Sequence, residues 1–197
     1  MRDDTGPGRP RGFDEDAVLD VITDLFRTRG YEAVSLADIM AATGLRKGSL
    51  YAAYGDKRAM YLKALARYEG HGVLRTAATL VAGDDPATAL RDFLDVAMTP
   101  PAAEGEGRGC FLCNASADQA AADPAVAAII RQGFDRLHRA IDTALASLDP
   151  TPAAPERAIW AAQILSTYAG LRMLARAGID RSVMAAARDA ALAGPGA

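Results

Sequence analysis

Two short helical patterns separated by a glycine constrain the fold of this chain more than any other feature of its sequence. Ser35 and Asp38 have the spacing of a capping box, and the short apolar face that follows them stops at Gly44. Residues 47–53 then have the length of about two helical turns before Gly55. The segment therefore predicts two short helices joined by a tight turn.

Helical periodicity continues on both sides of this segment, and strand signals are absent throughout. Upstream, apolar residues recur at three- and four-residue steps over 15–29, with Asp14 placed to cap the start. Downstream, a fourth helix starts after Asp56, and the pattern leaves open whether it breaks near Gly70 or continues to Val81. An all-α chain of about nine helices is predicted, with the remaining helices at 86–98, 110–121, 124–147, 154–178 and 181–193.

The composition is that of a chain that folds around its own core. Half of the 197 residues are hydrophobic, but no stretch approaches the roughly 18 consecutive apolar residues of a membrane-spanning helix. The N-terminal stretch is polar and rich in glycine and proline, unlike a signal peptide, and two closely spaced cysteines do not make a disulfide framework. A cytoplasmic protein with no membrane partner is therefore expected.

Positive charge is concentrated in one short region. The formal net charge of the chain is −3, yet residues 46–67 hold six cations against the single acid Asp56 and include all three lysines. This run begins at the second short helix and favours contact with a polyanion, although a solvated helix face would show the same bias.

Two short helices joined by a glycine turn and preceded by a longer helix have the arrangement of a helix-turn-helix. In such a unit the second helix enters the major groove of DNA with its N-terminal residues leading. Those residues are Arg46, Lys47, Gly48 and Ser49, which combine cations and a hydroxyl with a position where the backbone can come close. Tyr51, one turn beyond Lys47, is predicted to face the DNA.

Three residues beside this helix complete the predicted site. Lys57 lies in the first turn of the next helix, where the dipole and the free N–H groups favour an anion, and is predicted to clamp a phosphate. Ser35 is either a plain helix cap or a second phosphate contact. Tyr54 is predicted to belong to the core.

The stretch from Phe13 to Tyr68 resembles the DNA-binding domain of the TetR/AcrR family of transcriptional regulators. The resemblance rests on "RGY", "SLADIMAATGL", "KGSLYAAYGDK" and "LKAL", which occur in that order. It implies a homodimeric all-helical repressor that binds a palindromic operator in double-stranded DNA and is released by a small, apolar effector. It also implies DNA contacts from Arg46, Lys47, Gly48, Ser49, Tyr51 and Lys57.

The resemblance divides the chain into three parts. These are a flexible arm at 1–13, a helix-turn-helix domain at 14–70 with its motif at about 35–54, and a ligand-binding and dimerisation domain at 71–197. The last two helices resemble those that form a four-helix dimer interface in the family. The residues assigned to this interface are Trp160, Ile164, Tyr168, Leu171 and Met184.

Base readout is where this chain departs from the family pattern. Many members carry bulky or imidazole side chains where this chain has Ala52 and Ala53. Specificity is therefore expected to depend more on the leading edge of the helix and on the arm. Arg9 and Arg11 of that arm are predicted to lie in a minor groove, the alternative being a solvated tail.

The only thiols occur in "RGCFLCNAS", where Cys110 and Cys113 share one face of a predicted helix start. They could be small packing residues, or a reactive thiol pair near Arg108 that senses oxidants or electrophiles. The stretch resembles one TetR/AcrR subgroup, some of whose members sense through this cysteine. A metal site is disfavoured, because His71 and His138 are the only imidazoles that could complete it.

A regulator that a ligand releases from DNA is therefore the function that the sequence favours. Neither a phosphate-binding glycine loop nor a recognisable catalytic motif is present, so no enzyme activity and no cofactor are expected. Two alternatives stay open. One is a thiol-based repressor that senses through Cys110, and the other is a helical ligand-binding or interaction module that no longer reads DNA.

Overall fold

The computed structural model describes residues 13–100 and 109–194, and the regular elements in these ranges are all helices. The all-α prediction is confirmed. No helix in these ranges is long and apolar enough to cross a membrane. The α-helices are Glu15–Arg29 (α1), Leu36–Thr43 (α2), Lys47–Tyr54 (α3), Lys57–Tyr68 (α4), Leu74–Val81 (α5), Pro86–Ala97 (α6), Phe111–Asp118 (α7), Pro124–Leu148 (α8), Ala154–Arg176 (α9) and Arg181–Ala193 (α10).

One continuous rod runs from α4 to α5. A π-helical turn at Glu69–Val73 joins the two helices, and the backbone at Tyr68 and Leu74 stays right-handed helical. The fourth predicted helix therefore continues to Val81 and does not break near Gly70. With this rod counted once, the described residues form nine helical rods, as the sequence predicts.

Local capping fixes the first helices. The Asp14 side chain accepts hydrogen bonds from the backbone of the first turn of α1, and Ser35 and Asp38 form the predicted capping box on α2. Gly44 ends α2 with a φ of 69°, a left-handed conformation that glycine adopts without strain. Asp56 caps α4 in turn. These caps determine where α2 and α3 begin and how they meet.

The first four helices pack around a core that extends into the rest of the chain. Ile22, Phe26 and Leu50 are fully buried there. Tyr61 of α4 packs edge-on against Phe26 and also against Phe111 of α7. The aromatic cluster therefore places α7 directly against the helix-turn-helix.

The remaining helices pack around α8 and α9, which lie against each other and against α6. The indole nitrogen of Trp160 donates a hydrogen bond to the Ala191 carbonyl at 2.9 Å, which ties α10 to α9. This position corrects the predicted dimer interface. Its five residues are buried in the core of the protomer and cannot supply a contact surface: Trp160, Ile164, Tyr168, Leu171 and Met184.

The apolar residues that α9 and α10 do expose lie at other positions. Ile159 is 65% exposed, Met173 69% and Val183 57%. The apolar pattern along these helices thus has two sides, and the bulkier side faces inward. A contact between subunits would use the outer side.

Candidate nucleic-acid interface and thiol cluster

Two buried residues set the orientation of α3. Leu50 has no exposed surface, and Tyr54 is 3% exposed, with its hydroxyl donating to the Glu15 carbonyl of α1 at 2.8 Å. Tyr54 therefore belongs to the core, as predicted. Because these two residues hold one side of the helix inward, the N-terminal end of the other side is open to solvent at Arg46, Lys47, Gly48 and Ser49.

Ion pairs divide the basic run into two groups. Arg58 pairs with Asp123 at the start of α8, with Nε 2.6 Å from Oδ2. Arg67 pairs with Asp16 and Asp20 of α1. These two arginines hold helices together, so the outward positive charge is smaller than the sequence count implies. No carboxylate partner is found within the described residues for the other four cations of the run. One of them, Lys63, donates to the Ala53 carbonyl, and the other three are Arg46, Lys47 and Lys57.

Two of these cations lie over tyrosine rings. The Lys57 ammonium is 4.4 Å from the centroid of Tyr31, and the Lys47 ammonium is 5.6 Å from that of Tyr51. Tyr51 is 44% exposed, in agreement with its predicted outward position. The rings restrict the positions of the two ammonium groups without neutralising their charge, which suits contact with phosphate.

The fold does not require a glycine at position 48. A Cβ placed there would meet nothing within 4 Å, and the backbone is ordinary helix. Glycine in a helix is less stable than alanine by about 0.5–1 kcal/mol. The absence of an internal reason favours an external one, the close approach of another molecule.

Ser35 acts as a cap in the structure. Its hydroxyl accepts from the Asp38 N–H, while the Asp38 carboxylate accepts from the Ser35 N–H at 2.8 Å. The Ser35 hydroxyl also donates to the Asp38 carboxylate. This hydrogen bond, the one from the Ser35 N–H and the one from Arg29 lower the pKa of Asp38 to about 2. A phosphate contact from Ser35 would have to form beside this carboxylate and stays a prediction, whereas Arg9 and Arg11 lie outside the described residues.

Ala52 and Ala53 differ in position. Ala52 is exposed, whereas Ala53 packs partly against the core and its carbonyl accepts a hydrogen bond from Lys63 at 3.0 Å. Only Ala52 is therefore placed to meet a base, and it offers no more than a methyl group. The prediction that base readout by α3 depends mainly on its first turn therefore stands as a prediction.

The two thiols form a hydrogen-bonded pair at the start of α7. Cys110 is the N-cap residue and is buried, Cys113 lies one turn later, and both are free. The Cys113 thiol and the Tyr168 hydroxyl, as donors to the Cys110 sulfur, lower the pKa of Cys110 to about 6 although burial opposes this. The pKa of Cys113 is raised for the same reason, since it donates to Cys110. Cys110 is thus the sulfur that ionises first.

Two residues that the sequence analysis does not connect with the thiols, Tyr168 and Arg172, act on Cys110 in the structure. Tyr168 lies between Phe93, stacked at a centroid distance of 4.4 Å, and the guanidinium of Arg172 at 5.4 Å. Arg172 also donates from Nε to the Tyr168 hydroxyl at 3.3 Å. Because Tyr168 and Arg172 come from α9, only the folded chain brings them to Cys110.

Asn114 connects α7 to two other helices. Its amide nitrogen donates to the Arg27 carbonyl near the end of α1 at 2.9 Å. Its amide oxygen accepts from Arg176 of α9 at 3.0 Å. Nothing in the sequence around Asn114 distinguishes it as a connecting residue, because both partners are distant along the chain.

Two cavities adjoin this cluster. The first, of about 230 Å³, lies between the α4–α5 rod, α6 and α9, and its walls include Leu80, Phe93 and Tyr168. The second, of about 350 Å³, lies between α7 and α9 beside Cys113. Arg172 lines both. In the part of the chain that the structure describes, no three His, Cys, Asp or Glu side chains converge to hold a metal ion.

Sequence comparisons match this chain to known regulators. Residues 18–64 match the family described as bacterial regulatory proteins, tetR family. The chain is 35% identical over 108 residues to the HTH-type transcriptional repressor ComR of Escherichia coli (strain K12), a match that covers 54% of this chain and 51% of ComR. It is 31% identical over 124 residues to the uncharacterized HTH-type transcriptional regulator YezE of Bacillus subtilis (strain 168), covering 61% and 62%. The chain thus spans about half the length of the first of these relatives.

Structural comparisons extend the likeness over almost the whole chain. The fold matches that of the TetR family transcriptional regulator CifR, a cysteine mutant complexed with 26bp double-strand operator DNA, with a TM-score of 0.76 and 26% identity. The match covers 94% of this chain and 98% of the CifR chain. It also matches a TetR transcriptional regulator from Chloroflexus aurantiacus J-10-FL with a TM-score of 0.74 and 26% identity, over 90% of this chain and 91% of that regulator.

Proposed function

We propose that the chain, which belongs to the TetR family of bacterial regulatory proteins, is a homodimeric repressor that binds a palindromic operator in the cytoplasm. The observation that carries this proposal is the exposed leading edge of α3. There, Arg46 and Lys47 have no carboxylate partner among the described residues, and Gly48 leaves the backbone accessible. Lys57, at the start of α4, adds a third such cation.

The dimensions of α3 suit the major groove. An α-helix with its side chains is about 10–12 Å in diameter, which fits the groove width of about 12 Å. The eight residues of α3 extend over about 12 Å at a rise of about 1.5 Å per residue. In this arrangement Arg46, Lys47 and Ser49 contact phosphates and base edges at the helix start. Lys57 and Tyr51 contact phosphates on either side.

Salt dependence provides the test of these contacts. Lys47→Ala and Lys57→Ala should each weaken operator binding regardless of base sequence. Each should make the slope of log K against log salt shallower by about 0.9 per phosphate contact, or about 1.8 for a dimer. Arg131→Ala is the matched control, since this exposed cation on α8 lies outside the predicted contact set. Unchanged affinity and slope in both lysine variants would contradict the proposal.

The operator itself is found by selecting genomic fragments with the purified protein. A recovered promoter names the regulated genes and suggests the effector. A protein that enriches no fragment, yet is folded and dimeric, would favour the alternative of a helical module that no longer reads DNA.

Release by a small molecule is the second part of the proposal. The cavity between the α4–α5 rod, α6 and α9 is lined largely by apolar and aromatic side chains, including Leu80 and Phe93, and offers an apolar effector a site. Residues 14–70 would then act as the DNA-binding domain and 71–197 as the ligand-binding and dimerisation domain. The dimer surface is assigned to the exposed apolar side of α9 and α10 at Ile159, Met173 and Val183.

A thiol-based repressor is the second candidate, favoured by the hydrogen bonds that lower the pKa of Cys110. A thiolate is the nucleophilic form of cysteine, so an electrophile should modify Cys110 and release the operator. Cys110→Ser should abolish this release, while Cys113→Ala, the matched loss of a thiol, should weaken it by removing the side-chain donor to Cys110. If Cys110→Ser responds to a mild electrophile like the parent protein, this candidate is wrong.

A further inference from the structure

Arg172 differs from the other half-buried arginines of the described chain. Each of the others, Arg27, Arg67, Arg136, Arg157 and Arg188, forms an ion pair with an aspartate or glutamate. Arg172 is half-buried on α9, and the hydrogen bond that the structure gives it within the described residues goes to the Tyr168 hydroxyl. A guanidinium withdrawn from water without a carboxylate is unfavourable unless another anion offsets its charge.

The guanidinium of Arg172 is held in place before any ligand arrives. Tyr168 is stacked on Phe93 on one side and lies under the guanidinium on the other. The Nε atom is engaged by the Tyr168 hydroxyl, and the described residues provide no acceptor for the two terminal amino groups. These groups are therefore available to the cavities that Arg172 lines. A planar fork of this kind matches the two oxygens of a carboxylate.

The first cavity limits what the rest of a ligand can be. Its volume of about 230 Å³ is below the range of about 300–1,000 Å³ that is usual for sites of drug-sized ligands. Leu80, Phe93 and Val96 supply apolar wall, while Asp92 places a carboxylate at the exposed side. Because Asp92 repels a second negative charge, the cavity suits a small molecule with one anionic end and an apolar body.

We propose that this cavity binds a small organic monocarboxylate, with the carboxylate on Arg172 and the apolar body between α5 and α6. The inference names the chemical class of the effector and so rests on the proposed function of a ligand-released repressor. It also sharpens the expectation of an apolar effector by adding one negative charge at a defined end.

A bound carboxylate would compete with the Cys110 thiolate for the same cation. Arg172 is among the groups that favour ionisation of Cys110, which does not itself line the cavity. A carboxylate on Arg172 offsets this positive charge and disfavours the thiolate. By thermodynamic reciprocity, ionisation of Cys110 weakens carboxylate binding by the same factor. Occupancy of the cavity can therefore be read at the thiol.

The experiment measures binding by calorimetry to the full-length protein without DNA. The probes are benzoate, phenylacetate and hexanoate, each paired with its uncharged amide, and inorganic phosphate. The carboxylates should bind at least tenfold more tightly than their amides, and Arg172→Gln should remove this preference. Arg176→Gln is the matched control, because Arg176 lies one turn further along α9 and does not line the first cavity. Arg172→Lys, which keeps the charge, should retain part of the preference and serves if Arg172→Gln does not fold.

The thiol gives an independent readout of the site. The ionisation of Cys110 is followed by the ultraviolet absorbance of the thiolate, as the difference from Cys110→Ser. Saturating carboxylate should shift this titration to higher pH in the parent protein and not in Arg172→Gln. Equal affinity for acids and amides, binding that survives Arg172→Gln, or phosphate bound as well as benzoate would each overturn the inference.

Operator binding, measured on the same preparations without ligand, separates this inference from the proposed function. If the protein binds its operator but discriminates no carboxylate from its amide, the inference alone fails. If it binds the carboxylates through Arg172 but retains no DNA fragment, the proposed function fails and the site remains.

Discussion

Replacing Tyr168 with phenylalanine removes one hydroxyl from the thiol cluster and leaves the packing intact. The ring of Tyr168 is buried and stacked on Phe93, and phenylalanine keeps that ring. The hydroxyl donates to Cys110 and accepts from Arg172. Tyr168→Phe therefore removes one of the hydrogen bonds that stabilise the thiolate form of Cys110.

The expected size of the effect follows from the strength of this bond. A hydrogen bond to a charged group contributes about 1.5–3 kcal/mol, and one pKa unit corresponds to about 1.4 kcal/mol. The pKa of Cys110, about 6 in the parent, should therefore rise to about 7–8 in Tyr168→Phe. The Cys113 thiol remains as a donor, so the pKa of Cys110 should stay below the ordinary thiol value.

The assay is the thiolate titration by ultraviolet absorbance, with Cys110→Ser as the blank. Tyr51→Phe is the matched control. It also removes one tyrosine hydroxyl, but this hydroxyl belongs to an exposed residue of α3 and not to the buried core. An unchanged Cys110 titration in Tyr168→Phe would refute the assignment of the Tyr168 hydroxyl as a donor to the thiolate.

The same thiols give the free energy of unfolding a dependence on pH. The pKa of Cys110 is lowered in the fold, so its contribution is complete above the unfolded thiol pKa of about 8.5 and is lost as the pH falls through about 6. The pKa of Cys113 is raised, so its contribution is complete below about 8.5 and declines as the pH rises further. The part of the stability due to the thiols should therefore be greatest near pH 8.5, and this maximum should be absent from the Cys110→Ser, Cys113→Ser double variant.

Three further predictions concern packing and surfaces. Gly133→Ala would place a Cβ 2.5 Å from Leu112 Cδ1, so urea unfolding should show a loss of about 1–3 kcal/mol, and Leu112→Val in the same chain should restore part of it. No loss would mean that α7 moves aside freely. Gly48→Ala should leave stability unchanged or higher yet weaken the operator complex in a gel shift, and unimpaired binding would remove the reason given for this glycine. Met173→Asp should shift sedimentation toward the monomer, whereas an unaffected dimer would place the interface elsewhere.

The helix-turn-helix could be predicted from the sequence because local chemistry sets its boundaries. Asp14, the Ser35–Asp38 pair and Asp56 each bond to backbone N–H groups within three residues of themselves. Glycine at 44 satisfies a left-handed conformation in the same stretch. None of these interactions depends on the rest of the fold, so short patterns were sufficient to place α1, α2 and the start of α4.

The predicted dimer interface was wrong because the apolar periodicity of a helix does not determine which of its faces packs inside the protomer. Helix α9 carries apolar residues around most of its circumference, and the pattern does not say which side meets the chain's own core. Trp160 and Leu171 are buried in the protomer, and Trp160 binds Ala191 of α10, whereas Ile159 and Met173 face outward. The choice depends on contacts between helices far apart in the sequence.

The charge count failed in a similar way. Arg58 and Arg67 lie in the basic run and would add to a DNA-binding surface if they pointed outward. Their acids, Asp123 and the two aspartates of α1, lie many residues away along the chain and approach only after folding. The cations left for DNA are those for which the fold provides no acid, and that distinction requires the structure.

The thiol cluster and α3 are connected through α1. Asn114, next to Cys113 on α7, binds the Arg27 carbonyl near the end of α1. At the beginning of the same helix the Glu15 carbonyl accepts the hydrogen bond from Tyr54 of α3. Because α1 is a continuous helix of 15 residues, we expect a displacement of its end by α7 to reach its beginning and the anchor of α3. A change at Cys110 or in the cavity beside α9 therefore has a direct structural route to the helix proposed to read DNA.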